Sequence, residues 1–464
     1  MNKTWTDIAS LHAAYKAGTI TPIEVTQYYL DRIAKYNPEL NAFITVTSDL
    51  ATDMAKKLDI KNIDKLPLYG VPVAFKDIYS TKDIRTTAGS NIIKDYVGQY
   101  DAIVVQKYLD AGAIVLGKLN CDAFAHGSSG ENSDFGPTKN PWNKEYVAGG
   151  SSSGSAVAVS ADLCMIAGGS DTGGSIRCPA SFCSVVGLKP TYGRVSRYGI
   201  IAMASSLDSI GHFGNSVLDV AKTLEVTAGV DTHDATSSPT STDHYSEFKN
   251  TDLKGVKIGI PKEYLGVDTK VKEVFEKAVT KIKELGAEIV EVSLPNSPLA
   301  LACYYIIQPA EVSSNLGRFD GVRYGQTPDH FGAEAKRRIA LGKYVLSSGY
   351  YDAYYLTAQK VRTLVAQDFS KVFSQVDLIL GPVMPHLPFK IGEKISDPLA
   401  LYMEDVLTVP VNLAGLPAVS IPCGFSNNLP VGMQLIGPKF SEKAILQTAF
   451  IYEQNSDWHN AKPL

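Results

Sequence analysis

Two rhythms of apolar and polar positions alternate along the chain: helical stretches with apolar residues three and four apart, and short continuous apolar runs. The first is plain in "TPIEVTQYYLDRIAKYNPEL", residues 21–40. There Thr21 is placed as a cap, Pro22 takes the first helical position, Glu24 closes a capping box, and Pro38 predicts the stop. The second appears in "YGVPVAFKD", which predicts a strand ending at Lys76 and Asp77. "DAIVVQKYLDAG" then predicts a helix ended by Gly112, and "AIVLGK" another strand. Farther on, "VKIGIP", "AEIVEV", "VDLILGP", "AVSIPCG" and "VGMQLIG" read as strands, with the helix "DTKVKEVFEKAVTKIKELG" closing at Gly286 between the first two.

Strands that alternate with helices predict an α/β fold: a central mixed sheet covered by helices on both faces. No internal repeat breaks the pattern, so one domain over residues 1–464 is expected, with a helical N-terminal segment to about residue 65. The polar stretch "GVDTHDATSSPTSTDHYSEFKNTD", residues 229–252, predicts a long surface connection inside that domain.

Composition narrows the class of molecule. With 464 residues, 45% hydrophobic and 20% charged, the chain can bury a large core. A formal net charge of -4 without clustered Lys or Arg predicts no autonomous nucleic-acid surface, so any nucleic-acid contact falls to a partner. The six cysteines include no C-x-x-C pair, which predicts buried thiols, a reducing compartment and no metal site. The start "MNKTWTDIASLHAAYKAG" has neither an apolar leader core nor an Arg-rich amphipathic pattern, and no apolar stretch suits a membrane helix. A cytoplasmic protein is expected, or one of the mitochondrial matrix if the source is eukaryotic and a leader has been removed.

Two glycine and serine clusters, "AGGSSSGSAVAV" at 148–159 and "GGSDTGGSIRC" at 168–178, stand out from this background. A phosphate loop is excluded, because the nearest match, "GAIVLGKL", lacks the final hydroxyl and reads as buried strand. "DTG" has no second copy, so an aspartic-protease pair is excluded as well. "GSSSG" satisfies the nucleophile-elbow pattern around Ser152, with Asp377 and His386 downstream, but the polar "PWNKEYVAGG" before it is a poor strand. The first cluster runs directly into apolar "AVAV", which argues for the start of a buried helix and against a linker. In "SDTGGSIR", paired glycines let backbone N–H groups converge beside Ser175, as an oxyanion site requires.

A serine nucleophile needs a base. His126 and His212 lie nearest to the clusters in sequence but lack an orienting carboxylate motif, whereas Lys76 ends a buried run, where desolvation lowers a lysine pKa.

Together "VPVAFKD", "GGSSSGSAVAV" and "GSDTGGSIRCPASFCSVVGLKPTYGRVSRYG" resemble the amidase signature family, with Lys76, Ser151 and Ser175 spaced as its Ser-cisSer-Lys triad. The resemblance implies that Ser175 attacks the carboxamide carbon, that Ser151, joined to Ser152 by a cis peptide bond, relays the proton, and that Lys76 is the base. It also implies an oxyanion site at the backbone of Thr172, Gly173, Gly174 and Ser175. Further stretches, including "AEVSSNLGRFDGVRYG", "FGAEAKRRIALG" and "TVPVNLAGLPAVSIPCG", are similar to the glutamine-hydrolysing subunits of tRNA-dependent amidotransferases.

That branch implies Arg338, or its neighbour Arg337, for the glutamine α-carboxylate and Asp405 for the α-amino group. It also implies a heterotrimer with B and C subunits, ATP and Mg2+ used by the partner subunit with no cofactor in this chain, and mischarged Glu-tRNA(Gln) or Asp-tRNA(Asn) as the amide acceptor. Two departures from the family pattern stand out: Ser153 replaces a glycine, and the chain between "VRYG" and "FGAE" is short.

Overall fold

The computed structural model describes Lys3 and residues 5–464, and its backbone is organised by an eleven-stranded mixed sheet. In chain order the strands are β1 (Phe43–Val46), β2 (Pro72–Lys76), β3 (Ile114–Leu119), β4 (Ile166–Asp171), β5 (Val186–Lys189) and β6 (Ser209–Gly214), then β7 (Lys257–Pro261), β8 (Glu288–Val292), β9 (Leu378–Pro382), β10 (Ala418–Ser426) and β11 (Leu429–Ile436). Their order across the sheet is β1-β3-β2-β4-β6-β5-β10-β11-β9-β7-β8. The polar stretch 229–252 joins the helix Val217–Thr227, which follows β6, to β7 as turns and bends, so strands before and after it share one sheet.

The continuous apolar runs "VPVAFKD" and "AIVLGK" become the interior strands β2 and β3, buried at every position, and β4 is equally buried although its letters IAGGSD are no apolar run. The amphipathic helix Thr269–Glu284 instead buries Val271, Val274, Phe275, Ala278 and Ile282 along one stripe, with the Asp268 carboxylate capping the Lys270 N–H.

The N-terminal helix begins as its sequence predicts, with Thr21 and Glu24 capping each other's backbone N–H groups. It does not stop before Pro38. It continues to Leu40, because Pro38 lies in the last turn, Leu40 is buried, and Asn41 closes the helix in a left-handed conformation with its N–H on the Asn37 carbonyl.

Topology positions the chemistry. β2 and β4 are adjacent and parallel, with Phe75 opposite Gly168, so their carboxyl ends reach the same edge of the sheet. Lys76 is the last residue of β2, and Ser170 and Asp171 are the last two of β4. Open α/β sheets gather ligands at such an edge. The first Gly/Ser cluster crosses that edge and enters the short helix Ser153–Ser160, every residue of which is buried. Ser153 is accommodated as the first residue of this helix, and its hydroxyl bonds Thr138 Oγ1 at 3.1 Å.

Candidate active site

Lys76 is wholly buried, and its Nζ donates to three hydroxyls: Ser151 Oγ at 2.7 Å, Ser152 Oγ at 3.0 Å and Ser170 Oγ at 3.0 Å. Burial pushes the ammonium down to about 8, because a cation loses its hydration in the interior. Such a lysine exchanges its proton near neutrality, which an exposed lysine does not do.

The backbone ties the two clusters together. The Ser152 N–H donates to the Ser175 carbonyl at 3.2 Å, and the Asp122 N–H donates to the Ser151 carbonyl at 3.2 Å. The cis bond lies one residue earlier than the resemblance implies, between Gly150 and Ser151 and not between Ser151 and Ser152. A side chain at 150 would collide with the Asp122 carboxylate, so only glycine fits beside it.

Ser175 follows β4 and is the least buried of the three expected catalytic residues, at 8% exposure. Among the described residues no hydrogen bond joins its hydroxyl to Ser151, so the structure brings Lys76 and Ser151 into contact and leaves the last step to Ser175 open. Nor, among those residues, does any of the Thr172, Gly173, Gly174 and Ser175 N–H groups find an acceptor. Unpaired amide donors converging in a buried turn suit an incoming oxyanion.

The turn is held from below by Arg177, fully buried, whose guanidinium bonds both oxygens of Asp171, the side chains of Gln434 and Asn412, and the Thr408 carbonyl. Burial alone would raise Asp171, but the charge and hydrogen bonds of Arg177 hold it down at about 2. From the side, Thr172 Oγ1 donates to Asp208 at 2.7 Å, and Thr408 Oγ1 donates to the Gly173 carbonyl. Gly174 adopts φ +147°, and a side chain there would strike Thr408 Oγ1. The letters of "SDTGGSIR" contain the Asp171 and Arg177 pair, yet nothing in their spacing reveals that it is a buried brace.

Arg338 and Asp405 come together through an aromatic bridge. The Arg338 guanidinium lies 4.7 Å from the Tyr305 ring centroid and 4.8 Å from that of Tyr402, and the two rings stack at 4.0 Å. The Tyr305 hydroxyl donates to Asp405 Oδ2 at 2.9 Å. Burial pushes Asp405 up to about 7, against the opposing effects of the Tyr305 bond and the Arg338 charge. Arg337 points away: it is 43% exposed and pairs with Glu334. Of the two candidate arginines, then, Arg338 is the buried one. Two of its nitrogens are already committed, Nε to Glu334 Oε1 at 2.6 Å and Nη1 to Gln308 Oε1 at 2.7 Å. Tyr305, Tyr402 and Gln308 carry no signal in the sequence, because nothing local distinguishes them from core residues.

The elbow reading fails on geometry. Ser152 donates to the Ser170 carbonyl, Asp377 accepts from the Lys257 backbone, and His386 bonds Glu404 at 2.7 Å, so the three do not meet. His212 is a core residue bonded to Tyr108 and Thr227, and burial pushes it down to about 3. All six cysteines are buried and free, and among the described residues no three His, Cys, Asp or Glu side chains gather as a metal site. No described helix is long and apolar enough to cross a membrane.

Comparison with known proteins accords with this geometry. A family model described as "Amidase" matches residues 24–446. The chain belongs to the amidase family. This amidase is 52% identical over 468 residues to the A subunit of the glutamyl-tRNA(Gln) amidotransferase of Carboxydothermus hydrogenoformans, covering 97% of this chain and 96% of that one. It is 51% identical over 475 residues to the protein of the same name from Geobacter metallireducens, covering 98% of each. Among solved structures it resembles the A subunit of the glutamyl-tRNA(Gln) amidotransferase from Thermotoga maritima, at TM-score 0.81 and 44% identity over 94% of this chain and 92% of that one. The peptide amidase of Stenotrophomonas maltophilia shares the fold of this amidase at TM-score 0.82 and 30% identity over 97% of each chain.

Proposed function

We propose that this amidase is the glutamine-hydrolysing subunit of a glutamyl-tRNA(Gln) amidotransferase. The observation that carries the reading beyond amide hydrolysis is the buried Arg338 and Asp405 pair, bridged by Tyr305, which presents a cation and an acid to a free amino acid. Near-identity of length and about half of all positions shared with relatives of that name support it.

In this mechanism neutral Lys76 takes the Ser151 proton while Ser151 Oγ takes that of Ser175, and Ser175 Oγ bonds to the carboxamide carbon of glutamine. The carbonyl oxygen becomes an oxyanion held by the free N–H groups of Thr172 to Ser175. Collapse returns the proton through Ser151 to the departing nitrogen, releasing ammonia and leaving a glutamyl ester on Ser175. Water, deprotonated by the same relay, hydrolyses that ester to glutamate. Arg338 holds the α-carboxylate and Asp405 the α-ammonium.

The ammonia then serves B and C partner subunits in a heterotrimer, where ATP and Mg2+ activate the side-chain carboxylate of Glu-tRNA(Gln) or Asp-tRNA(Asn). The lack of clustered Lys and Arg in this chain accords with tRNA contact through the partner, in the cytoplasm or, in a eukaryote, the mitochondrial matrix.

The test is hydrolysis of glutamine and of simple amides by the purified chain, alone and with its partner subunits. Glutamine turnover that rises when the partner subunits and mischarged tRNA are added is expected. Partner-independent turnover of simple amides, with glutamine no better, would instead make it a stand-alone amidase.

A further inference from the structure

A second buried carboxylate stands directly beside Asp405. Glu404 precedes it in the short turn Met403–Asp405 and is 1% exposed. Its Oε2 is buried without a partner among the described residues, so all of its compensation falls on Oε1. There Lys394 Nζ donates at 2.6 Å and His386 Nε2 lies at 2.7 Å, while Lys394 Nζ and His386 Nε2 are 2.8 Å apart. Phe389 backs both groups, with Lys394 Nζ 4.4 Å from its ring centroid and the His386 ring edge-on at 5.8 Å. A carboxylate sealed in the interior needs such a counter-charge, and the triangle of Glu404, Lys394 and His386 supplies it.

The hydrogens in this triangle are constrained. His386 Nδ1 lies 2.8 Å from the Leu387 carbonyl, which can only accept, so Nδ1 carries a hydrogen. The neutral ring then accepts from Lys394 through Nε2, and the cluster has no net charge. The protonated ring donates Nε2–H to Glu404, and the cluster becomes a cation. Burial lowers His386, but the Glu404 hydrogen bond and charge outweigh it and hold the ring above the usual histidine range. Solvent supplies the proton, since the His386 and Lys394 side chains are 28% and 20% exposed.

The groups that face Asp405 contain little to offset Glu404. They are Tyr304 and Tyr305 on the helix Ser297–Asn315, Arg338 on the helix Ala333–Val345, Asp171 at the end of β4, Cys178 on the helix Arg177–Cys183, and Glu404 itself. Arg338 is the one cation among them, and it already bonds Glu334 and Gln308. Burial raises Asp405 most, and the Glu404 charge adds to it.

We propose that Lys394 and His386 are positioning residues of the substrate site: by pairing with Glu404 they cancel a negative charge beside Asp405, and so set the pH range over which Asp405, as a carboxylate, holds the α-ammonium. This rests on the glutaminase reading above, in which Asp405 meets that ammonium. The pairing strengthens as pH falls, because His386 then adds its own charge against Glu404.

The experiment measures KM for glutamine on both sides of pH 7, by ammonia release from the full chain with its co-purifying subunits. Glu404→Gln is expected to move the KM limb near 7 down by about one pH unit, the order of effect of one charge a few ångströms away inside a protein. Lys394→Met is expected to move it up by about as much, which raises KM at pH 7 roughly fivefold. His386→Gln, which keeps a donor to Glu404 but takes up no proton, should move it up by less. In each variant kcat is expected to hold, because binding alone is altered. Lys394→Met combined with Glu404→Gln removes both charges and should bring the limb back toward 7 from its place in Glu404→Gln, which covers the case in which Lys394→Met does not fold. A limb that stays in place in Glu404→Gln, or that moves the same way in Glu404→Gln and Lys394→Met, overturns the pairing while the glutaminase reading stands. If Asp405→Asn leaves the KM profile as it is in the wild type, Asp405 does not hold the ammonium, and that assignment and this one fall together.

Discussion

Lys76 Nζ lies 2.7 Å from Ser151 Oγ, both groups sealed from solvent, although 75 residues separate them in the chain. A lysine desolvated in this way and bonded to a hydroxyl is a base in waiting, and its removal strips the relay of its proton acceptor. Lys76→Ala is expected to lower kcat for glutamine hydrolysis by about 10²–10⁴, the usual range for a general base. Lys76→Arg should be as inactive, because a guanidinium stays protonated. Steady-state ammonia release measures both, and an active Lys76→Arg variant would remove Lys76 from the base role.

The pH dependence follows from two buried groups. The base works in its neutral form, so with Lys76 at about 8, kcat/KM should rise with pH along a limb near 8 and fall away below it. Asp405 attracts the α-ammonium only when ionised, so with its value at about 7, KM for glutamine should fall as pH rises through 7. Asp405→Asn should flatten the KM profile and leave the Lys76 limb near 8 in kcat/KM in place. A KM profile unchanged in that variant would place the titration elsewhere.

The two neighbouring arginines should behave differently. Arg338 is buried among Glu334, Gln308 and two tyrosine rings, whereas Arg337 is on the surface. Arg338→Ala is expected to raise KM for glutamine at least 100-fold, about the 2.7 kcal/mol of a charge-assisted pair. Arg337→Ala should stay within about twofold, since exposed ion pairs contribute little. Equal effects in the two variants would contradict this placement.

Gly174 and Arg177 separate catalysis from stability. Gly174→Ala places a methyl group against Thr408 Oγ1 at a backbone conformation that side chains rarely adopt, and displaces the amide donors beside Ser175. A loss of about 10²–10³ in kcat is expected, as when an oxyanion donor is removed. Arg177→Met leaves Asp171 buried without its cation and should destabilise the fold by about 3–5 kcal/mol, read from denaturant unfolding. Because Asp171 sits at about 2 in the fold against 3.8 normally, its contribution is whole above pH 3.8 and lost as pH falls through 2. A wild-type chain whose stability is flat over that window would contradict the assignment.

Much of the molecule is legible in its letters, because the deciding signals are local. Continuous apolar runs bounded by turn residues mark β2, β3 and β7 to β11, while β1 and β4 to β6 carry no such signal, and Thr21, Pro22 and Glu24 mark the start of a helix, since capping and burial act over a few residues. The end of that helix lies past the stop that Pro38 predicts, because the packing of Leu40 outweighs a local signal. Motif spacing marks Lys76, Ser151 and Ser175, and the family resemblance implies Arg338 or Arg337 and Asp405, but it places the cis bond one residue too late, in a backbone gripped by Asp122 and Ser175.

What the order of residues could not state is which side chains meet across the sheet edge. Lys76 reaches three serines because β2 and β4 are parallel neighbours, and Arg338 reaches Tyr305, Gln308 and Tyr402 because their separate segments pack together. Those contacts join residues from 30 to 94 positions apart, and they set the pKa of the base and the shape of the substrate site. Propensity and pattern act within a few residues of the chain, while desolvation and charge pairing act through space, so the sequence alone determined the elements and the tertiary structure decided the chemistry.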